Sequence, residues 1–513
     1  MNPQKNEYST RQKVGLFAGF PLFVIMIFLP PPSGLSAPGW FVLASALLMA
    51  ILWISECIPI PVTALLPLLL FPFFKVSPFG AVASNYANSN IFLFMGGFFI
   101  AMAMQRWGLH RRIALYLIYF IGSSPRRIVL GFMIATAFLS MWISNTATTM
   151  MMYPIGLAII LHLADYSAEG DALSEMGVAN FRTALMLAIA YAASIGGIAT
   201  LVGTPPNIVF VSAVSRLYPE APEISFVSWM VVGLILVVIF LPICWLLLTS
   251  FIFKVSSQTL AGGREVLREE IDKLGPMQSS EKSVAVVFVL TALAWISRRD
   301  LTIGSVTLHG WASTLGVGEY VNDATVAILA SLVLFILPHK IQTGEFVLDW
   351  ESALKIPWGI LLLFGGGIAL ADGFKVSGLA QWFGEQLTLL GTVPLIVMIL
   401  LTCGTLTFMT ELTSNVATTT LFMPILASAA VAIGAHPFLL MIPATISASC
   451  AFMLPVATPP NAIIFASGYV SVPQMARAGI YLNLIGMVIV TLLTYFIIVP
   501  LMGITTSLPL WAQ

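Results

Sequence analysis

Long apolar runs interrupted by short polar stretches dominate this chain. A helix that crosses a bilayer needs about 20 apolar residues. By that measure the pattern predicts eleven spans, near 14–30, 39–56, 58–74, 89–118, 180–215, 226–252, 283–297, 323–338, 356–386, 437–468 and 478–503. Two more apolar stretches, 127–162 and 394–432, are longer than one span, and each carries a polar cluster at its centre. They are expected to be re-entrant hairpins that enter and leave on the same side. The fold class expected is an all-α polytopic membrane protein.

The two halves of the pattern repeat each other across a polar, charged loop at 253–282. Met95-Gly96-Gly97 matches Phe364-Gly365-Gly366. Ser144-Asn145-Thr146-Ala147-Thr148-Thr149 matches Ser414-Asn415-Val416-Ala417-Thr418-Thr419. Pro154 matches Pro424 at the same offset of 270. Gly203-Thr204-Pro205-Pro206-Asn207 matches Ala457-Thr458-Pro459-Pro460-Asn461. Five spans and a hairpin separate one glycine pair from the other, so the repeats and their hairpins open from opposite sides. Inverted repeats interrupted at corresponding places mark the binding site of a transporter.

Composition supports a bilayer as the solvent. Residues are 59% hydrophobic and 9% charged, against about 25% charged in soluble domains, and mean hydropathy is +0.98. Net charge is zero, which leaves no footprint for a nucleic acid. The four cysteines are far apart in apolar stretches and read as packing thiols. The polar segment Met1–Lys13 has no cleavable-signal pattern, so the first apolar segment is expected to be retained. With the N-terminus inside, 17 of the 22 Lys and Arg residues fall on the cytoplasmic side, as the positive-inside rule asks. That bias requires both hairpins. The odd span count then puts the C-terminus outside.

The polar interruptions carry the candidate chemistry. Backbone that leaves a helix at membrane depth is tolerated only inside protein or beside a water-filled cavity. The tips Ser144-Asn145-Thr146 and Ser414-Asn415-Val416 free carbonyls that suit a cation, and N–H groups at a helix start that suit an anion. The paired prolines at 205–206 and 459–460 break their spans and release carbonyls near Gly203 and Ala457, with the Thr204 and Thr458 hydroxyls beside them. Half-membrane helices are thus expected to point at a shared midplane pocket. No Lys, Arg or Asp lies in these elements, and Glu411 alone is close. A cation held by neutral oxygens there fits weakly bound sodium better than magnesium or calcium. The histidines sit at segment ends and read as interfacial. Asp372 and Lys375 read equally as a local ion pair, snorkelling or function, and Glu56 reads as structural. Glu411 is left between orienting the second tip and meeting a nearby hydroxyl.

With both Ser-Asn tips, both Thr-Pro-Pro-Asn breaks and Glu56-Cys57-Ile58-Pro59-Ile60-Pro61-Val62-Thr63-Ala64-Leu65-Leu66-Pro67, the chain resembles the divalent anion/sodium symporter family nearly end to end. The resemblance implies sodium as coupling ion, a small dicarboxylate such as succinate, malate or fumarate as substrate, a homodimer, and a transport domain that slides as an elevator. It implies scaffold helices at 1–88 and 283–355, a cytoplasmic loop at 253–282, and repeats at 89–252 and 356–513. One sodium site maps onto Ser140, Ser144, Asn145 and Gly203, the other onto Thr410, Ser414, Asn415 and Ala457. Substrate contacts map onto Asn145, Thr146, Thr204, Asn415 and Thr458. Val416 stands where some relatives have threonine and cannot donate a hydrogen bond, so it is given no substrate role. The resemblance leaves open dicarboxylate exchange without sodium, and citrate or sulfate symport. The residues argue against an enzyme, since no HExxH and no clustered histidines or paired aspartates lie at membrane depth. A channel remains a separate class, which saturable uptake with counter-transport excludes.

Overall fold

The computed structural model describes residues 8–122, 124–168, 175–256, 263–303, 306–386 and 393–513. Residues 1–7 of the polar N-terminus and 257–262 of the polar loop lie outside these, as does the His162 side chain. Among the described residues nine helices are long and apolar enough to cross a membrane. The chain is a multi-pass, almost wholly helical membrane protein.

Helices α1 (Thr10–Phe28) and α2 (Ala37–Ser55) pack on each other. The prolines of the Ile58–Pro67 stretch split the next apolar run into α3 (Ile60–Thr63) and α4 (Leu66–Phe73). A short α5 (Phe79–Ser84) leads to α6 (Ser89–Arg106). The expected span 89–118 is in fact two helices, α6 and α7 (Leu109–Ile121). Gly108 makes the turn between them at φ +70°, a conformation glycine adopts without strain. α7 carries Arg111 and Arg112 into polar contacts, so it turns away from α6 rather than prolonging it.

The first long stretch folds as α8 (Pro125–Ser140) and α9 (Asn145–Ala168), joined by a tight turn and packed on each other. α10 (Glu175–Gly197) and α11 (Pro205–Leu217) follow, interrupted over 198–204. α12 (Phe226–Leu246) continues into a π-helical turn at Leu247–Ile252. The polar loop contains α13 (Gly263–Asp272), which packs on α7 and α9. α14 (Ser279–Ile296), a two-stranded ribbon, α15 (Trp311–Thr314), α16 (Asp323–Ile336) and α17 (Trp350–Ala353) come next. The expected span 356–386 is also two helices, α18 (Trp358–Val376) and α19 (Leu379–Gln386), with Gly378 at φ +75° between them. Because Gly108 and Gly378 are 270 apart, Gly96-Gly97 corresponds to Gly366-Gly367. That is one residue beyond the pairing read from composition.

The second long stretch folds as α20 (Leu395–Thr410) and α21 (Asn415–Ala432). α22 (Phe438–Ala448) and α23 (Pro459–Ala466) flank the second interruption, at 449–458, before α24 (Val472–Leu493) and a terminal α25 (Val499–Leu501). Packing follows the repeat. The first arms α8 and α20 lie on α10 and α22 of their own halves, and the second arms α9 and α21 lie both on these and on α23 and α11 of the opposite halves. The first arms are equal in length. Each holds 16 residues, about 24 Å at roughly 1.5 Å per residue, against a hydrocarbon core of about 30 Å. Trp142 of the first tip packs edge-on at 4.9 Å from Phe288 and stacks at 6.0 Å from Phe226. Leu412 of the second tip accepts a 3.5 Å hydrogen bond from Arg11.

Ion pairs join segments distant in sequence, and each joins two segments that the basic-residue pattern groups on one face. Arg112 bonds Glu281 at 2.6 Å, Arg111 bonds Glu270 at 2.7 Å and Arg106 bonds Asp349 at 2.5 Å. On the other face Arg298 bonds Asp323 at 2.6 Å and Glu223 at 2.7 Å. Asp372 does not pair with Lys375. It bonds Arg216 at 2.7 Å, while Lys375 reaches the Leu217 carbonyl at 2.9 Å. Both thus tie α18 to the end of α11. Glu56, at the left-handed end of α2, lies 3.5 Å from Arg11.

Removing one member of a buried pair strands the other. Arg298→Met is expected to cost about 3–5 kcal/mol, read as a fall in thermal midpoint in detergent, with Asp323→Leu added in the same chain recovering part of it. A pH effect follows from His436, packed between Phe438 and Trp511 at 4.8 and 5.0 Å. Its Nδ1 accepts from the Phe438 amide, and burial pushes its pKa down from 6.5 to about 4. The unfolded chain binds the proton first, so this contribution to stability is complete above pH 6.5 and lost as pH falls towards 4. His436→Phe should show a smaller drop in thermal midpoint than the wild type over that window.

Candidate functional site

Each hairpin tip closes on the interruption of its own repeat, and the same three groups meet in both. In the first, Ser140 Oγ lies 2.6 Å from Asn145 Oδ1 and 2.7 Å from the Ala193 carbonyl. In the second, Thr410 Oγ1 lies 2.7 Å from Asn415 Oδ1 and 2.9 Å from the Ala448 carbonyl. A hydroxyl has one proton, so it satisfies one of its two acceptors and leaves the other oxygen facing a lone pair. Both clusters therefore hold more lone pairs than protons, which favours a cation.

The first cluster is tight. A Cβ on Gly197 would overlap Asn145 Oδ1 and sit 3.1 Å from the Gly203 carbonyl oxygen, and one on Gly203 would sit 2.9 Å from the Ser140 carbonyl oxygen. Only glycine lets these oxygens converge. Ser144 sits at the turn, its carbonyl accepting from Thr148 at 2.9 Å and its hydroxyl from Ala147 at 3.4 Å. Ser414 does the same through its carbonyl, which accepts from Thr418 at 2.9 Å. In the second repeat Ala451 and Ala457 stand at the positions of Gly197 and Gly203.

The asparagines of the two breaks have a part that sequence reasoning missed. Asn207 Nδ2 donates to the carbonyls of Thr200 at 2.7 Å and Ile198 at 3.2 Å. Asn461 Nδ2 donates to those of Leu454 at 3.0 Å and Ala451 at 3.1 Å. Each reaches back across its prolines and fixes the unwound loop. The signal was present, because an amide directly after two prolines is placed to answer the carbonyls that they orphan. Thr204 and Thr458 are the N-caps of α11 and α23, and neither side chain caps its helix. Both are buried, which leaves their hydroxyls for another partner.

Thr146 opens the first turn of α9, as Val416 does in α21. The first N–H groups of these helices have no intrahelical acceptor, and the positive end of each helix lies beside an oxygen cluster. Asn145 and Asn415 begin these helices. Each cluster thus places a cation-favouring set of neutral oxygens next to an anion-favouring helix start. Glu411 does not meet a hydroxyl. Its carboxylate accepts from the backbone of the second break, as described below.

A family model described as the sodium:sulfate symporter transmembrane region matches residues 10–504. The chain belongs to that symporter family. A sodium-dependent dicarboxylate transporter, SdcS, from Staphylococcus saprophyticus is 46% identical over 512 residues, covering 99% of this chain and 96% of that protein. Its namesake from Staphylococcus aureus is 45% identical over 508 residues, covering 99% and 95%. Among solved structures, the Alcanivorax borkumensis YdaH transporter aligns with a TM-score of 0.57 at 13% identity, over 89% of this chain and 97% of that one. Neisseria gonorrhoeae MtrF aligns at 0.54 with 10% identity, over 96% of each. These last two are alike in fold.

Gly197→Ala tests the first cluster, since overpacking of this kind costs about 1–3 kcal/mol. It should abolish most of the thermal stabilisation that sodium gives the purified protein. Ala451→Gly, at the corresponding position of the second repeat, should retain it.

Proposed function

We propose that this chain is a sodium-coupled symporter that imports a four-carbon dicarboxylate such as succinate, malate or fumarate across a plasma membrane. The observation that carries the reading is the pair of matching oxygen clusters, each beside a helix N-terminus and neither containing a lysine or arginine. An anion entering such a site meets dipoles but no formal positive charge. A cation in each cluster supplies it, and two sodium ions balance a dianion. Empty clusters repel no guest strongly, yet neither ion is well held alone, which is the physical basis of coupled entry. The staphylococcal relatives, named as sodium-dependent dicarboxylate transporters at 46% and 45% identity, support both the ion and the substrate class.

In this reading Ser140, Ser144, Asn145 and Gly203 hold one sodium, and Thr410, Ser414, Asn415 and Ala457 the other. Asn145, Thr146, Thr204, Asn415 and Thr458 face the carboxylates. The N-terminus is cytoplasmic and the C-terminus outside. The protein works as a homodimer in which α8–α12 and α20–α24 move as a body against the remaining helices. The crossed packing of α9 on α23 and α21 on α11 supports that grouping, because it makes one unit of elements from both repeats.

Purified protein in liposomes decides the matter. An inward sodium gradient should drive saturable uptake of labelled succinate well above that in potassium, with citrate and sulfate competing weakly. Equal uptake in potassium, stimulated by internal dicarboxylate, would instead establish exchange.

A further inference from the structure

The two interruptions differ in length and in what satisfies them. The first spans 198–204 and the second 449–458. In the first, the amides of Ile198 and Ala199 still bond to the carbonyls of Ile195 and Gly196, at 3.2 and 3.0 Å, as a continuing helical turn. In the second, the corresponding amides of Phe452 and Met453 bond to Glu411 Oε1 at 2.7 and 2.9 Å, and that of Leu454 to Oε2 at 3.0 Å. Asn483 of α24 donates to Oε1 at 2.7 Å. From the other side Tyr191 of α10 donates to the Phe452 carbonyl at 2.8 Å. Glu411 and Asn483 are both buried. At the offset of 270 the first repeat has Met141 in place of Glu411, and among the described residues no carboxylate bonds to that break.

The carboxylate does two things. Buried amides at membrane depth must find acceptors, and without Glu411 those of 452–454 would return to helical carbonyls. Rewinding would withdraw the Ala448 carbonyl from Thr410, which is the residue preceding Glu411. Three aligned N–H dipoles beside the second cluster would also repel a cation there, and the carboxylate cancels them. We infer that Glu411, oriented by Asn483, is the positioning residue of the second sodium cluster, so that this site depends on a fixed negative charge while the first is built from neutral groups alone. The inference rests on the sodium reading proposed above.

The test uses the full chain, purified, in liposomes and in detergent. Glu411→Gln keeps the size but turns an NH₂ towards the amides. It should raise the half-saturating sodium concentration for succinate uptake by about tenfold, the scale of a lost charge-assisted hydrogen bond. Asn483→Ala leaves the carboxylate on its three amides and should shift the same quantity by about threefold, so it decides the matter if the first variant does not fold. In both, the rise in thermal midpoint produced by sodium should shrink, in addition to any fall in the sodium-free midpoint caused by the stranded polar groups. Unchanged sodium dependence in the variants overturns the inference. So does a lower sodium-free midpoint with the sodium-induced rise intact, which is the result of a merely structural role. Wild-type uptake that ignores sodium removes the underlying reading instead, and the two failures are therefore distinct.

Discussion

Peptide groups in hydrocarbon must be hydrogen-bonded within the protein, and four interruptions of helix at membrane depth put that demand on this fold. Each interruption exposes carbonyls at the end of one helix and amides at the start of another. The structure answers them with side chains from neighbouring elements. Asn207 and Asn461 fold back onto the carbonyls before their prolines. Ser140 reaches the Ala193 carbonyl in the last turns of α10, and Thr410 the last carbonyl of α22. Polar atoms stay at depth only where another polar atom meets them, so the interruptions gather into two compact clusters.

Those clusters are short of protons by design of their geometry. One hydroxyl between two carbonyl-type oxygens leaves an uncompensated lone pair, which in the proposed sodium reading a monovalent cation would complete without a formal countercharge. In that reading the absence of Lys and Arg is functional, since a fixed positive charge would hold the anion whether or not sodium had arrived. The fixed charge that is present, Glu411, is spent on the backbone amides of 452–454. The repeats are alike in connectivity and unlike in electrostatics, and this breaks the equivalence of the two clusters.

Packing between the halves turns two weak hairpins into one body. A re-entrant helix pair has no continuous span of its own to anchor it. Its second arm here lies on the broken helix of the opposite repeat. The ion pair of Arg216 with Asp372 ties the end of the broken helix α11 to α18, while Arg112 with Glu281 joins α7 to α14 among the surrounding helices.

Local chemistry made much of this legible in the chain itself. Apolar length gave the spans, paired prolines gave the breaks, and Ser-Asn at the centre of an apolar run gave the turns, because each acts within a few residues. The glycine turns at 108 and 378 lie inside stretches whose average apolarity spans both helices, although Arg106 and Arg111 flank the first and Lys375 and Gln381 the second. Tertiary structure alone decided the partners. Glu411 meets amides 41 residues on and Asn483 72 residues on, and Arg216 meets Asp372 156 residues on. Such contacts depend on how helices from two repeats are brought side by side, and no periodicity along the chain encodes that arrangement.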